Sequence, residues 1–222
     1  MFTAELYAEV TREINNLNND LYITSSELTM AFNKAMSNYV QAYAPTFEMD
    51  ETSRKRLRKL LKTKSYTDIP SVDSPVPNIY NVTLENDTVL VLLEAATINK
   101  NDLERVTKVT PISLDALMAN IDNPYKKPYK KKVWRIEDGT SNGSKVHSLV
   151  VPTGYTLTKY TVTYIFTPTI KDISDSGVDL NQYLDPLFQY ELIPLIVNEA
   201  VRPYIGGQEQ EQKQEQEQKQ GE

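Results

Sequence analysis

The apolar residues of this chain keep a helical spacing up to about Lys64 and mostly a strand spacing after Pro77, with three prolines near the change. Phe2, Leu6, Val10, Ile14, Leu17 and Leu21 recur at intervals of four, four, four, three and four, one stripe on an amphipathic helix of about five turns. Thr24-Ser25-Ser26-Glu27 has the capping-box pattern: the threonine accepts from the third helical amide while the glutamate reaches back. Leu28, Phe32, Ala35, Met36, Tyr39, Val40 and Tyr43 carry a second helix to Pro45. Asp50 suits the N-cap of a third, with Leu57, Leu60 and Leu61 inward and its cations outward. These elements predict a helical region over 1–64. Pro70, Pro75 and Pro77 then deny 65–78 both a helix and a central strand, so that stretch is expected to be a connector.

From 79 to 205 the expectation is an antiparallel β-rich region with long hairpins, interrupted by a short helix over 113–120 and closed by a C-terminal helix. The fold class is therefore α+β. Ile79 to Thr83 and Thr88 to Ile98 read as a hairpin around Glu85-Asn86-Asp87. Ser113 can cap the short helix, which Asn123-Pro124 would end. Lys130 to Ile136 alternates around Trp134, and Asp138-Gly139 with Asn142-Gly143 marks a turn. Val146 to Val151 turns through Pro152-Thr153-Gly154 into Tyr155 to Thr167, a strand that would reach about 43 Å. Tyr155, Tyr160, Tyr164 and Phe166 mark that stretch as a hairpin projecting onto a neighbour. For the last helix two starts are available, Asp185-Pro186 or Pro194; the second is favoured, with Ile196, Val197, Ala200 and Val201 buried up to Tyr204. The segment 206–222 repeats QEQEQK without an apolar side chain and is expected to be disordered unless a partner folds it.

Composition removes whole classes of chemistry. There is no cysteine, which excludes disulfides, thiolate zinc, iron–sulfur clusters and a cysteine nucleophile. A single histidine, His147, excludes a multi-histidine metal site within one chain, and its phase with Leu149 and Val151 reads as a structural core residue. No G-x-x-x-x-G-K loop occurs, and H-E-x-x-H is impossible. The expectation is a protein with no catalytic residues, cofactor or metal. Glu5, Glu9 and Glu13 do not suit a signal peptide, and the longest apolar run, Val89 to Leu93, is far short of a membrane span, so the chain reads as made inside the cell with no membrane partner. The apolar share of 40% includes 14 tyrosines. With tyrosine left out and the 7 glycines counted it is roughly 37%, against the usual ~45–50%, which points to surface covered by partners or to a disordered part.

On a net charge of −6 the cations are clustered. Arg54, Lys55, Arg56, Arg58, Lys59, Lys62 and Lys64 form one block; Lys126, Lys127, Lys130, Lys131, Lys132 and Arg135 form another. Either block could meet phosphate or an acidic neighbouring subunit, and composition does not choose. In the second block Tyr125, Tyr129 and Trp134 interleave with lysines, as in strands that stack and neutralise single-stranded nucleic acid. The alternative is a loop whose lysines face acids across an interface.

Val109-Thr110-Pro111-Ile112-Ser113-Leu114-Asp115, then Asn123-Pro124-Tyr125-Lys126-Lys127-Pro128, then Trp134-Arg135-Ile136 resemble a pattern in tail-neck proteins of crAss-like and related short-tailed phages of gut bacteria. Tyr164-Ile165-Phe166-Thr167-Pro168, Glu191-Leu192 and Ile196 to Val201 are similar to the same family's C-terminal half. The resemblance spans residues 1–205 and implies a virion ring or adaptor of the head-to-tail connector, assembled in the host cytoplasm. It implies a homo-oligomer, typically of twelve copies, that docks to the portal or other neck rings and lets double-stranded DNA pass without specific binding. It transfers no catalytic residues, and it assigns no role to the QEQEQK tail.

Overall fold

A computed structural model describes residues 3–17, 23–73, 78–123, 125–141, 143–173, 179–184 and 189–202. Phe2, Leu21, Pro75, Pro77, Pro124, Asn142, Asp185, Pro186, Tyr204 and the 206–222 repeat lie outside these residues. The chain divides into two compact units, residues 1–60 with 167 onward, and residues 61–166.

The first unit is helical. Helix α1 spans Thr3–Leu17 and buries Leu6, Val10 and Ile14. Helix α2 spans Ser25–Tyr43 and buries Leu28, Phe32, Ala35, Met36, Tyr39 and Val40, the stripe read from the sequence. Its capping box is formed: Thr24 Oγ1 accepts from the Glu27 amide at 3.3 Å, and the Glu27 carboxylate accepts from the Thr24 amide at 2.8 Å. Helix α3, Glu51–Leu57, starts at Asp50, whose carboxylate accepts from the Ser53 amide at 2.7 Å; that bond holds the carboxyl below its ordinary pKa. A 3₁₀ turn, Arg58–Leu60, follows.

The closing helix, α5, covers 189–202 and belongs to this unit, tied to α2 by an ion pair between Lys34 and Glu199. It runs through Pro194, so the favoured start at that proline is corrected. A proline there removes one helical hydrogen bond, the one to the Tyr190 carbonyl. Pro194 and Tyr190 are exposed, so water can take that carbonyl, while Leu192, Ile193 and Ile196 are buried and hold the helix by packing.

The second unit is an eight-stranded sheet: β1 Leu61–Thr67, β2 Ser71–Val72, β3 Ile79–Thr83, β4 Thr88–Lys100, β5 Leu103–Pro111, β6 Lys132–Ser141, β7 Ser144–Val150 and β8 Thr156–Phe166. Their order is β1-β8-β4-β5-β6-β7-β3-β2. The two edge strands are consecutive in the chain, joined by Asp68 to Pro70, with Asp68 left-handed at φ 54°. Four Cα steps reach about 15 Å, so the sheet must curl until its edges nearly meet.

Several expectations change here. The helical region ends at Leu60, and the expected connector begins with a real strand. Thr63 and Ser65 on β1 pair hydroxyls with Thr163 and Thr161 on β8 at 2.9 and 3.0 Å, interactions that hydrophobic patterning does not reveal. Strands β3 and β4 are not a hairpin with each other: β3 pairs with β7, and β4 with β5 and β8. Strand β8 does not project. It lies between β1 and β4, with Tyr160, Tyr164 and Phe166 buried, because a strand paired on both sides and packed on one face leaves little to offer a neighbour. Burial raises the Tyr164 hydroxyl to about 12. Consecutive strands do pair antiparallel at β2–β3, at β4–β5, which turns on Asn101-Asp102 with φ 52° and 61°, and at β6–β7. In β6 a register shift between Glu137 and Thr140 places Gly139 at φ 90°, where a side chain would be strained. Strands β5 and β6 run parallel, and the crossover between them carries helix α4, Leu114–Asn120, capped by Ser113.

Candidate assembly surface

The curled sheet buries one polar cluster. Arg135 on β6 meets Glu94 on β4, Nε to Oε1 at 3.1 Å, and its Nη2 donates to Oε2 at 3.3 Å. The Tyr160 hydroxyl donates to Glu94, and His147 Nδ1 lies 2.8 Å from the Tyr160 oxygen. Because the hydroxyl proton is spent on Glu94, the histidine must donate through Nδ1–H. Burial, then Arg135 and Lys145, lower the His147 pKa to about 3. The Tyr160 pKa is raised, first by burial and then by Glu94. These are the groups of an acid–base site, but His147 is 1% exposed and Tyr160 0%, so the cluster holds strands together from within. Sequence reading missed Glu94. Its signal was its phase with Ala96 and Ile98, a carboxylate on the inward face of an apolar strand.

Gly139-Thr140-Ser141-Asn142-Gly143 has the letters of a G-x-S-x-G nucleophile elbow. The described part of it belongs to β6 and the turn into β7, not to a strand-to-helix turn, so the context that exposes such a serine is missing. Among the described residues no group of three or more His, Asp or Glu could hold a metal, and no helix is long and apolar enough to cross a membrane.

The two basic blocks separate once side chains are placed. In the first, Lys55 pairs with Glu51 at 3.0 Å, Arg56 with Glu191 at 2.8 Å, Lys62 with Asp87 at 2.9 Å, and Lys64 with Glu85. Arg56 also lies over the Tyr43 ring at 4.2 Å, and Lys59 Nζ donates to the Asn181 and Leu184 carbonyls at 2.7 and 3.1 Å. Only Arg54 and Arg58 remain exposed without an ion pair among the described residues. That block is largely neutralised within its own chain.

The second block differs. Lys126, Lys127, Lys130, Lys131 and Lys132 form no ion pair among the described residues, and the first four are exposed. Tyr125 stands 96% exposed and Tyr129 53%. Tyr125, Lys126 and Lys127 are bonded to Asn123: its carbonyl accepts from the Lys126 and Lys127 amides at 3.1 and 2.9 Å, and its side-chain oxygen from the Tyr125 amide at 3.0 Å. Trp134 and Arg135 leave the set of partner contacts. Trp134 is 3% exposed and packs with Ile79, Leu117, Ile136 and Val150, while Arg135 is held by Glu94. Trp134 nevertheless borders a hollow of about 390 Å³, with Asn120, Tyr125, Lys126 and Tyr129 around it.

A family model described as phage tail ring protein 3/4 matches residues 1–202. The chain belongs to that family. No curated protein matches it. The match covers both units of the tail ring protein and agrees with the resemblance drawn from its sequence to ring proteins of crAss-like phages. The tail ring protein is thus a structural component of a phage virion.

Proposed function

We propose that the tail ring protein is one subunit of a closed ring in the head-to-tail connector, twelve copies around the DNA channel, joining the portal to the tail. It assembles in the host cytoplasm, takes no cofactor and performs no reaction. The observation that carries this reading is the set of five lysines without an ion pair among the described residues, beside two exposed tyrosines, on a chain of net charge −6. Such a patch needs acidic surface, and an acidic chain supplies it in its own copies. A head-to-tail contact that closes on itself gives a ring. A channel through which DNA slides must hold phosphate weakly, which suits a net negative subunit.

The test is negative-stain imaging and mass photometry of the purified chain over a concentration series, with and without the portal protein. Closed rings that seat on the portal are the expected result. A chain that stays monomeric in both conditions removes the reading.

The same lysines favour a second reading, a module that binds nucleic acid with Tyr125 and Tyr129 stacking. It requires binding to short DNA that weakens steeply with salt. Replacing the five lysines with glutamine must then flatten that slope by nearly one unit for each lysine that meets a phosphate. No binding at low salt excludes it.

A further inference from the structure

An apolar hollow of about 480 Å³ lies between α1 and α5. Ile193, Pro194, Val197 and Val201 of α5 line it, whereas among the described residues α1 contributes Glu9 and Glu13. Among the described residues those two carboxylates share one cation, Arg12, which contacts Glu9 and stands 3.5 Å from Glu13. The rim therefore keeps a surplus of negative charge.

We propose that this hollow receives the Tyr125 turn of a second copy of the chain. The turn carries an aromatic ring almost wholly exposed, followed at once by Lys126 and Lys127, which have no ion pair among the described residues. The ring fills the apolar space and the two ammonium groups meet Glu9 and Glu13. The amides of Tyr125, Lys126 and Lys127 are already bonded to Asn123, which reduces the freedom these residues lose on docking. Another exposed apolar feature, the β4–β5 turn with Leu103 at 76% and Val106 at 71% exposure, sets Asp102 and Glu104 against Lys100 and Arg105 and so lacks the net positive charge of the Tyr125 turn. The 206–222 repeat is net acidic and has no apolar side chain to insert. Groove and turn are different surfaces, so the contact is heterologous and propagates from copy to copy.

This inference rests on the ring reading and names the joint between subunits. The absence of cysteine makes a clean test possible in the full-length chain. Two single variants, Lys127→Cys and Asn198→Cys, are mixed in equal amounts and treated with a short bis-maleimide. Asn198 is exposed and lines the hollow. Cross-linked pairs containing one copy of each variant are expected, in clear excess over pairs of either variant alone. A charge exchange gives the second readout. Lys126→Glu with Lys127→Glu raises the concentration needed for self-assembly at least tenfold, and so does Glu9→Lys with Glu13→Lys. Mixing the two variants restores assembly.

Rings that persist without the mixed cross-link, or without rescue on mixing, overturn the joint and leave the ring reading standing. A parent chain that stays monomeric at every concentration overturns both. If the lysine variant assembles normally and loses only DNA binding, the turn is a nucleic-acid surface and the proposal is wrong.

Discussion

Replacing Glu94 with alanine will destabilise the tail ring protein by about 3 kcal/mol, because it leaves Arg135, buried in the sheet, with only the exposed Glu137 carboxylate at 3.4 Å as a counter-charge. The same change removes the acceptor of the Tyr160 hydroxyl, and through it the order of His147. Equilibrium unfolding in urea at 25 °C measures the effect. Glu94→Gln should cost less, since an amide still accepts from Tyr160. A double replacement, Glu94→Leu with Arg135→Met, should recover much of the loss, because apolar groups of similar size leave no buried charge behind. A loss under about 1 kcal/mol for Glu94→Ala would show that the cluster is not holding the strands.

Stability will fall as the pH drops below about 6.5, well before the carboxylates titrate. His147 is the single histidine of the chain, and in the folded protein burial, Arg135 and Lys145 lower its pKa to about 3. The Glu94 carboxylate, 3.6 Å from Nδ1, opposes that shift but is already engaged by Arg135. Unfolded, the imidazole titrates near 6.5, so at lower pH the unfolded chain takes up a proton that the folded chain refuses. The stabilisation is complete above about pH 6.5 and drains away as the pH falls towards 3, at up to ~1.4 kcal/mol per pH unit. Between pH 6.5 and 5, where no other side chain ordinarily titrates, the loss should reach about 2 kcal/mol. His147→Gln should flatten the profile over that interval. An unchanged slope in the variant would mean that the histidine is not neutral in the fold.

The helices were legible because their signals are local. Apolar residues at intervals of three and four, Thr24 with Glu27, and Asp50 and Ser113 at helix starts all act within a turn or two. Strands were legible as strands but not as partners. Alternation shows that β3, β4, β7 and β8 have two faces, and says nothing of which strand lies beside which, so adjacent segments were paired into hairpins that the sheet does not contain. The β4–β5 turn escaped notice because Asn101 and Asp102 take left-handed conformations without a glycine to advertise them. Strand β1 escaped because threonine, serine and lysine dominate it.

The candidate surface was half legible. Both basic blocks look alike in sequence, and what distinguishes them is remote: Glu191 lies 135 residues from Arg56 and Asn181 lies 122 from Lys59. Trp134 and Arg135 read as continuous with the lysines before them, yet they are adjacent strand residues that turn to opposite faces, one to the α4 cluster and one to Glu94. The hollow between α1 and α5 was out of reach because its walls come from opposite ends of the chain.

The three residues from Asp68 to Pro70 have a mechanical meaning. They bridge the seam of the sheet, where β1 and β2 share no hydrogen bonds, with covalent backbone. An outward pull across that seam loads a peptide strap before it can separate the margins. A subunit laced in this way can flex elsewhere while the margins of its sheet stay together.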